Sequence, residues 1–297
     1  MNIRPLRPIG IFDSGIGGLT VLQAIRHLMP DEPLLYLADQ AHVPYGLREL
    51  DQVRRFSEQI THYLLDQGAR MIVVACNTAS AAALKHLRTT FPEVPFVGME
   101  PAVKPAAEHT HTGVVGVLAT PATFQGALYA SVVERFGRGV KLLQHTCPGL
   151  VAQIEKGDLD STETHRILEE ALQPMLAQGI DTVVLGCTHY PFVIPLIQRI
   201  AGPNVRVIDP APAVARQVQR LLVASVFLEL DETLRDQAFP WPLPLLQILT
   251  TGDSLQLERM LPELLGEKVS VSSLAWKSGK LTPPYGNFGR SVIHPSH

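Results

Sequence analysis

Short runs of consecutive apolar, often β-branched residues recur along the chain. They fall at residues 8–12, 34–37, 71–75, 96–97, 114–118, 182–185, 205–208 and 245–249. Continuous runs of this length suit strands covered on both faces. The stretches between them change period. Residues 47–67, 79–91 and 162–178 carry apolar side chains three and four apart, as amphipathic helices do. Strand and helix in alternation predict an α/β fold with mainly parallel sheets flanked by helices.

The pattern also looks duplicated. Gly10-Ile11-Phe12-Asp13-Ser14-Gly15 opens one half, and Gly116-Val117-Leu118-Ala119-Thr120-Pro121 opens the other. At a similar distance downstream, each half ends a strand on a cysteine followed by two polar residues, Cys76-Asn77-Thr78 and Cys187-Thr188-His189. This predicts two pseudo-symmetric lobes with the active site in the cleft between them. Residues 1–98 plus 208–266 are assigned to the first lobe and 99–207 to the second. The strand at 205–208 leads through Asp209-Pro210 into a helix to Leu222; with the strand at 245–249, these segments are read as completing the first lobe. Residues 267–297, lacking an apolar period and rich in Pro, Gly and Ser toward their end, are expected to form a poorly ordered tail.

Composition narrows the class. The 297 residues are 46% hydrophobic and 18% charged, as a packed globular chain should be. A net charge of −3 offers no strong pull toward nucleic acid or an anionic membrane. No apolar run reaches the roughly 18 residues of a membrane span, and the N-terminus lacks a signal-peptide core, so a cytoplasmic location is expected. Three cysteines, with no CxxC pair, suggest neither a disulfide framework nor a cysteine metal site.

In open α/β sheets ligands bind beyond the carboxyl ends of strands. The informative residues sit at such ends: Asp13-Ser14, Cys76-Asn77-Thr78, Thr120 and Cys187-Thr188-His189, with Pro44-Tyr45-Gly46 in a loop before a helix. A lone cysteine usually reads as a small core hydrophobe. Here both Cys76 and Cys187 precede a helix start, whose free N–H groups lower a thiol's pKa from about 8.5. Cys147, in a turn without a counterpart in the other half, reads as structural. The run Asp13-Ser14-Gly15-Ile16-Gly17-Gly18 resembles a phosphate loop, but Thr20 stands where the dinucleotide fingerprint needs glycine, and Asp13 would repel phosphate. Two readings remain: an amide-lined turn with Asp13 near a substrate ammonium, or a helix start with Asp13 or Ser14 as N-cap. Asn77, Thr78 and Thr188 suit an α-carboxylate, or equally serve as caps. His189 can share a proton with Cys187, or be a bland surface histidine. Glu155 reads as a solvated helix residue, or as one that reaches the pocket.

Four separated motifs together closely resemble the glutamate racemase family of cofactor-independent Asp/Glu racemases. They are residues 11–22, Asp39 through Pro44-Tyr45-Gly46, residues 73–80, and Leu185-Gly186-Cys187-Thr188-His189-Tyr190-Pro191; Val207 to Ala211 and Thr250-Thr251-Gly252-Asp253 resemble later segments. The resemblance runs in order over residues 8–266. It implies interconversion of L- and D-glutamate for peptidoglycan synthesis, with no pyridoxal phosphate and no metal, in a protein that is commonly a homodimer. By matching position, Cys76 and Cys187 are the catalytic thiols, helped by Asp13 and His189. Asp13, Ser14, Tyr45, Gly46, Asn77, Thr78, Thr188 and His189 match substrate-binding positions, and Thr120 is expected to join them. Family analogy assigns D-glutamate to Cys76 and L-glutamate to Cys187. An aspartate racemase, a Cys187–His189 hydrolase and a non-catalytic binder or redox switch remain open. Against the hydrolase, side chains two apart on a turn need not converge.

Overall fold

The computed structural model describes residues 7–228 and 244–283. The chain begins with β1 (Ile9–Asp13), α1 (Leu19–Leu28), β2 (Leu34–Ala38), a 3-10 turn (Tyr45–Leu47), α2 (Leu50–Asp66), β3 (Met71–Val74), α3 (Asn77–Thr90) and β4 (Phe96–Gly98). It continues with α4 (Val103–His109), β5 (Val114–Ala119), α5 (Pro121–Gln125), α6 (Ala127–Phe136), β6 (Lys141–His145), α7 (Leu150–Lys156), α8 (Thr162–Leu176) and β7 (Thr182–Gly186). A second 3-10 turn (Tyr190–Val193), α9 (Ile194–Ala201), β8 (Arg206–Ile208) and α10 (Ala211–Leu228) follow. From residue 244 onward come β9 (Leu246–Thr250), α11 (Ser254–Leu265), β10 (Val271–Ser273), β11 (Ala275–Lys277) and β12 (Lys280–Thr282).

Two parallel sheets result, as the apolar runs predict. The first has the order β10-β9-β2-β1-β3-β4 and the second β6-β5-β7-β8. Setting β1 to β4 beside β5 to β8, both sheets contain the same order, 2-1-3-4, with every pair parallel. The chain therefore reverses direction across the sheet between the first and third strands of each unit, and a crevice opens at their carboxyl ends. Asp13 and Cys76 lie there in one lobe, Thr120 and Cys187 in the other.

Period-two burial explains why the strands lack a polar face. Along β1 and β3, Ile9, Ile11, Met71 and Val73 enter a core cluster that also receives Val183 and Leu185 of β7, while Phe12, Ile72 and Val74 enter a cluster on the opposite face of the first sheet. On the second sheet Val115, Val117 and Val184 pack outward beneath α4 and α6. The central cluster thus belongs to both lobes and fixes the cleft between them.

Three expectations need correction. The strand near 205–208 does not join the first sheet: β8 pairs with β7 and closes the second, and the chain returns to the first lobe only with α10, which packs on α1. The tail expected to be poorly ordered from 267 is structured through 282: β10 extends the first sheet beyond β9, and β11 with β12 forms an antiparallel hairpin. Residues 284–297 of that expectation lie outside the described residues. Strand β6 went unpredicted because it is an edge strand whose Lys141 and Gln144 face solvent, which breaks the apolar run. Among the described residues no helix is long and apolar enough to cross a membrane.

Candidate active site

The two crevices meet in one small, tight pocket. Ser14, Tyr45, Gly46, Cys76, Asn77 and Thr78 come from the first lobe, and Thr120, Cys187, Thr188 and His189 from the second. Pro44 and Val151 complete the lining. Every site residue expected from sequence is in this wall except Asp13, which lies one layer behind it.

Cys76 ends the loop after β3 in extended geometry and is itself the N-cap of α3, its Sγ accepting from the Ala79 N–H at 3.5 Å. The Ser14 hydroxyl stands 4.0 Å from the same sulfur. The Ala79 contact favours thiolate, as the helix start leads one to expect. It is outweighed: burial, then the negative charge of Asp13, hold the Cys76 thiol well above its ordinary value. The expectation of a lowered pKa is therefore wrong for Cys76, because a helix terminus acts within one turn whereas desolvation acts on the whole thiolate.

Asp13 is fully buried at the end of β1. Its Oδ2 accepts the Gly15 and Gly18 N–H groups, each at 3.1 Å, and its Oδ1 accepts the Thr188 hydroxyl at 3.3 Å across the cleft. Neither Asp13 nor Ser14 is an N-cap; Gly18 precedes α1 without a side-chain cap. Burial raises the Asp13 pKa, against the opposing pull of His189 and of the loop amides.

Cys187 follows β7 directly, and its Sγ lies 3.9 Å from His189 Nδ1. Side chains two apart on a strand-like turn need not converge; here they do, because His189 takes αR backbone geometry on entering the 3-10 turn. His189 Nε2 sits 2.5 Å from Glu155 Oε1. Glu155 is not solvated, contrary to expectation. Its side chain, on α7, is 10% exposed, accepts from the Ile16 N–H at 2.8 Å, and accepts from Gln40 Nε2 at 2.9 Å. Burial alone would raise its pKa, but the His189 contact overrides this and holds it below the usual range. Burial would likewise lower His189, yet Cys187 and Glu155 together raise it well above its ordinary value. The ring is therefore an imidazolium between a carboxylate and a sulfur. Sequence offered one signal for Glu155: it stands four residues after Val151, on the helix face that lines the cavity.

This pairing also explains the glycine run. A Cβ at Gly15 would sit 1.8 Å from Glu155 Oε1, and one at Gly17 would sit 2.5 Å from His189 Nδ1. The loop is glycine-rich because the second lobe's carboxylate and imidazole lie flat against it, not because it cradles a phosphate.

The remaining wall is hydroxyl and amide. Thr120 caps α5, accepting the Thr123 N–H at 3.2 Å, and its hydroxyl reaches Thr78 Oγ1 at 2.9 Å across the lobes. Both polar atoms of the Asn77 side chain are buried without a hydrogen-bond partner. Such orphans cost roughly 1–3 kcal/mol each unless something polar meets them, so they mark where a charged or hydrogen-bonding ligand fits. Cys147 stays outside this wall, in a neighbouring cavity of about 160 Å³, with its thiol pushed by burial up to about 12. No cluster of three or more His, Cys, Asp or Glu side chains among the described residues is arranged to hold a metal ion.

Comparison with known proteins places the chain among racemases of one family. The profile of the Asp/Glu/Hydantoin racemase family matches residues 19–218. A glutamate racemase of Roseiflexus sp. strain RS-1 is 54% identical over 222 residues, covering 75% of this chain and 82% of that one. One from Pseudomonas aeruginosa PAO1 is 47% identical over 266 residues, 90% and 97% of the two chains. The crystal structure of Escherichia coli glutamate racemase with L-glutamate and the activator UDP-MurNAc-Ala superposes with a TM-score of 0.76 at 30% identity, over 91% of this chain and 98% of that one.

Proposed function

The chain belongs to the Asp/Glu/Hydantoin racemase family, and from that premise we propose that it interconverts L- and D-glutamate by proton transfer between two thiols. The observation that carries the reading is one cysteine from each lobe, Cys76 and Cys187, lining a single pocket beside an unpaired buried amide. Racemisation takes the α-proton from one face and returns a proton to the other. Two acids on opposing walls do this without moving the substrate, so one sulfur starts as thiolate and the other as thiol.

Following the family assignment, Cys187 thiolate removes the α-proton of L-glutamate, the electron pair passes into the α-carboxylate, and the Cys76 thiol delivers its proton to the opposite face. The product is D-glutamate, with the protonation of the two sulfurs exchanged. Asn77, Thr78 and Thr188 donate to the carboxylate as charge develops there, in a cavity dry enough to strengthen them. The His189 imidazolium compensates negative charge near Cys187, and Asp13 sets the proton affinity of Cys76. Tyr45, Gly46, Ser14 and Thr120 close the rest of the wall around the side chain. The same family likeness supports a supply of D-glutamate to peptidoglycan synthesis and a homodimeric state.

The test is L/D interconversion of glutamate and of aspartate, followed by circular dichroism in buffer free of pyridoxal phosphate and added metal. Turnover of glutamate well above aspartate is expected. Turnover of aspartate alone would reassign the substrate, and turnover of neither would end the racemase reading.

A further inference from the structure

We propose that the C-terminal hairpin is a strap on the active-site wall, with Trp276 holding Asp39 and Asp39 holding Tyr45. The inference rests on the cavity described above being the racemisation site.

Asp39 follows β2 and is fully buried. Four side-chain donors from three parts of the chain converge on its carboxylate. Tyr45 OH donates to Oδ2 at 2.6 Å, and His42 Nδ1 lies 2.9 Å from the same oxygen. Thr251 Oγ1, beyond β9, donates to Oδ1 at 2.8 Å. Trp276 Nε1, on β11, donates to Oδ1 at 2.7 Å. The Asp39 N–H in turn donates to the Asp13 carbonyl at 2.9 Å, so the carboxylate is anchored to the strand end that carries the site. Rings lock the arrangement: His42 stacks on Phe56 at 3.8 Å, and Trp276 meets the His42 ring edge-on at 5.1 Å.

The hairpin itself packs on α2 and contributes nothing to the cavity lining. Its effect on the site passes through Tyr45, which is 1% exposed, and through Gly46, which packs against Thr120 of the second lobe. A Cβ at Gly46 would stand 2.6 Å from the Thr120 Cβ, so the loop has little room for displacement. A buried carboxylate must be met by donors on all sides. Removing the indole N–H leaves Oδ1 with one side-chain donor instead of two, and lets the carboxylate turn away from Tyr45. Trp276 and Asp39 are therefore positioning residues, and Tyr45 and Gly46 are the groups they position.

The experiment uses the full chain and the variants Trp276→Phe, Tyr45→Phe, their combination, Trp276→His, and Lys280→Ala on the same hairpin as a control. Two readouts are taken: hydrogen–deuterium exchange of residues 42–48 without substrate, and KM and kcat for L-glutamate. Trp276→Phe should speed exchange in 42–48 and raise KM about tenfold, a loss of one charge-assisted hydrogen bond, with a smaller change in kcat. Trp276→His, which keeps an N–H donor, should recover most of the KM, and Lys280→Ala should change neither readout. The double variant should be no worse than Tyr45→Phe alone, because both cut the same chain of contacts. Unchanged exchange and KM in Trp276→Phe would overturn the proposal, and so would multiplicative effects in the double variant. If the wild type does not turn over glutamate, the functional reading fails while the exchange arm still decides whether the strap exists.

Discussion

In the first lobe Cys76 follows the third strand, caps an α-helix and has the buried carboxylate of Asp13 as its charged neighbour. In the second lobe Cys187 follows the equivalent strand, enters a 3-10 turn and has an imidazolium, His189, backed by Glu155. The strand order around the two thiols is the same, yet the charges beside them are opposite. Ala119 ends β5 where Asp13 ends β1, so the second lobe has no carboxylate at the matching strand end. The shared strand order thus puts one thiol in each lobe, and the differing neighbours give one a negative and the other a positive companion. A symmetric pair would have no built-in preference for which sulfur holds the proton. Here burial, and then the Asp13 charge, hold the Cys76 thiol up, and the imidazolium stands where it offsets negative charge near Cys187.

The comparison breaks most severely when either thiol is removed. Cys76→Ala and Cys187→Ala should each cut racemisation by about 10³-fold or more, near the upper range for a lost acid or base, while melting temperatures stay close to wild type. Circular dichroism from each pure enantiomer measures it. Near-normal activity in either variant would mean that one base suffices.

Glu155→Gln attacks the second lobe's asymmetry. Breaking a buried pair strands the remaining charge, at a cost of about 3 kcal/mol or more, read as a fall in melting temperature. The pH dependence follows from the two shifts. His189 is raised above 6.5, so its contribution is complete below 6.5 and is lost as pH rises through its folded pKa. Glu155 is lowered below 4.5, so its contribution is complete above 4.5 and is lost as pH falls through its folded pKa. The gap between wild type and Glu155→Gln should be widest between those two values and close on either side. A gap independent of pH would show that the contact is not an ion pair.

Asp13→Asn has the smallest and most specific effect on the comparison. The active form holds one thiol and one thiolate, so activity falls at high pH when the retained thiol ionises. Asp13 holds Cys76 up, so removing its charge should move that alkaline limb to lower pH. Enantiomers are equal in energy, so kcat/KM is the same in both directions and the limb belongs to the pair. A limb that stays in place would separate Asp13 from Cys76.

The buried layers of this fold are legible in the chain because parallel strands covered on both faces leave continuous apolar runs. Edge elements are not: β6 interleaves Lys141 and Gln144 with leucines, and β10 to β12 are three residues each, too short to carry a period. The cavity wall follows the strand ends, where Cys76, Asn77, Thr120 and Cys187 already stand out. What sequence hides is the cross-lobe layer. Glu155, Gln40 and Trp276 act on residues far away in the chain, and beyond the spacing of Glu155 from Val151 nothing local to them distinguishes an inward-facing carboxylate or indole from a solvated one. The glycine run was misleading for the same reason, since its purpose is the clearance of His189 and Glu155 rather than a turn of its own.

The central claim is that two thiols, one from each lobe, serve opposite faces of the α-carbon. Racemisation of one pure enantiomer in deuterium oxide, sampled before a tenth of it has reacted, tests it most directly. The account predicts deuterium at the α-carbon of nearly all product and almost none in the recovered starting enantiomer, because the second thiol carries a solvent-derived hydron while the first returns what it removed. Equal labelling of both enantiomers, or product that keeps the original proton, would contradict it and point to a single base reaching both faces.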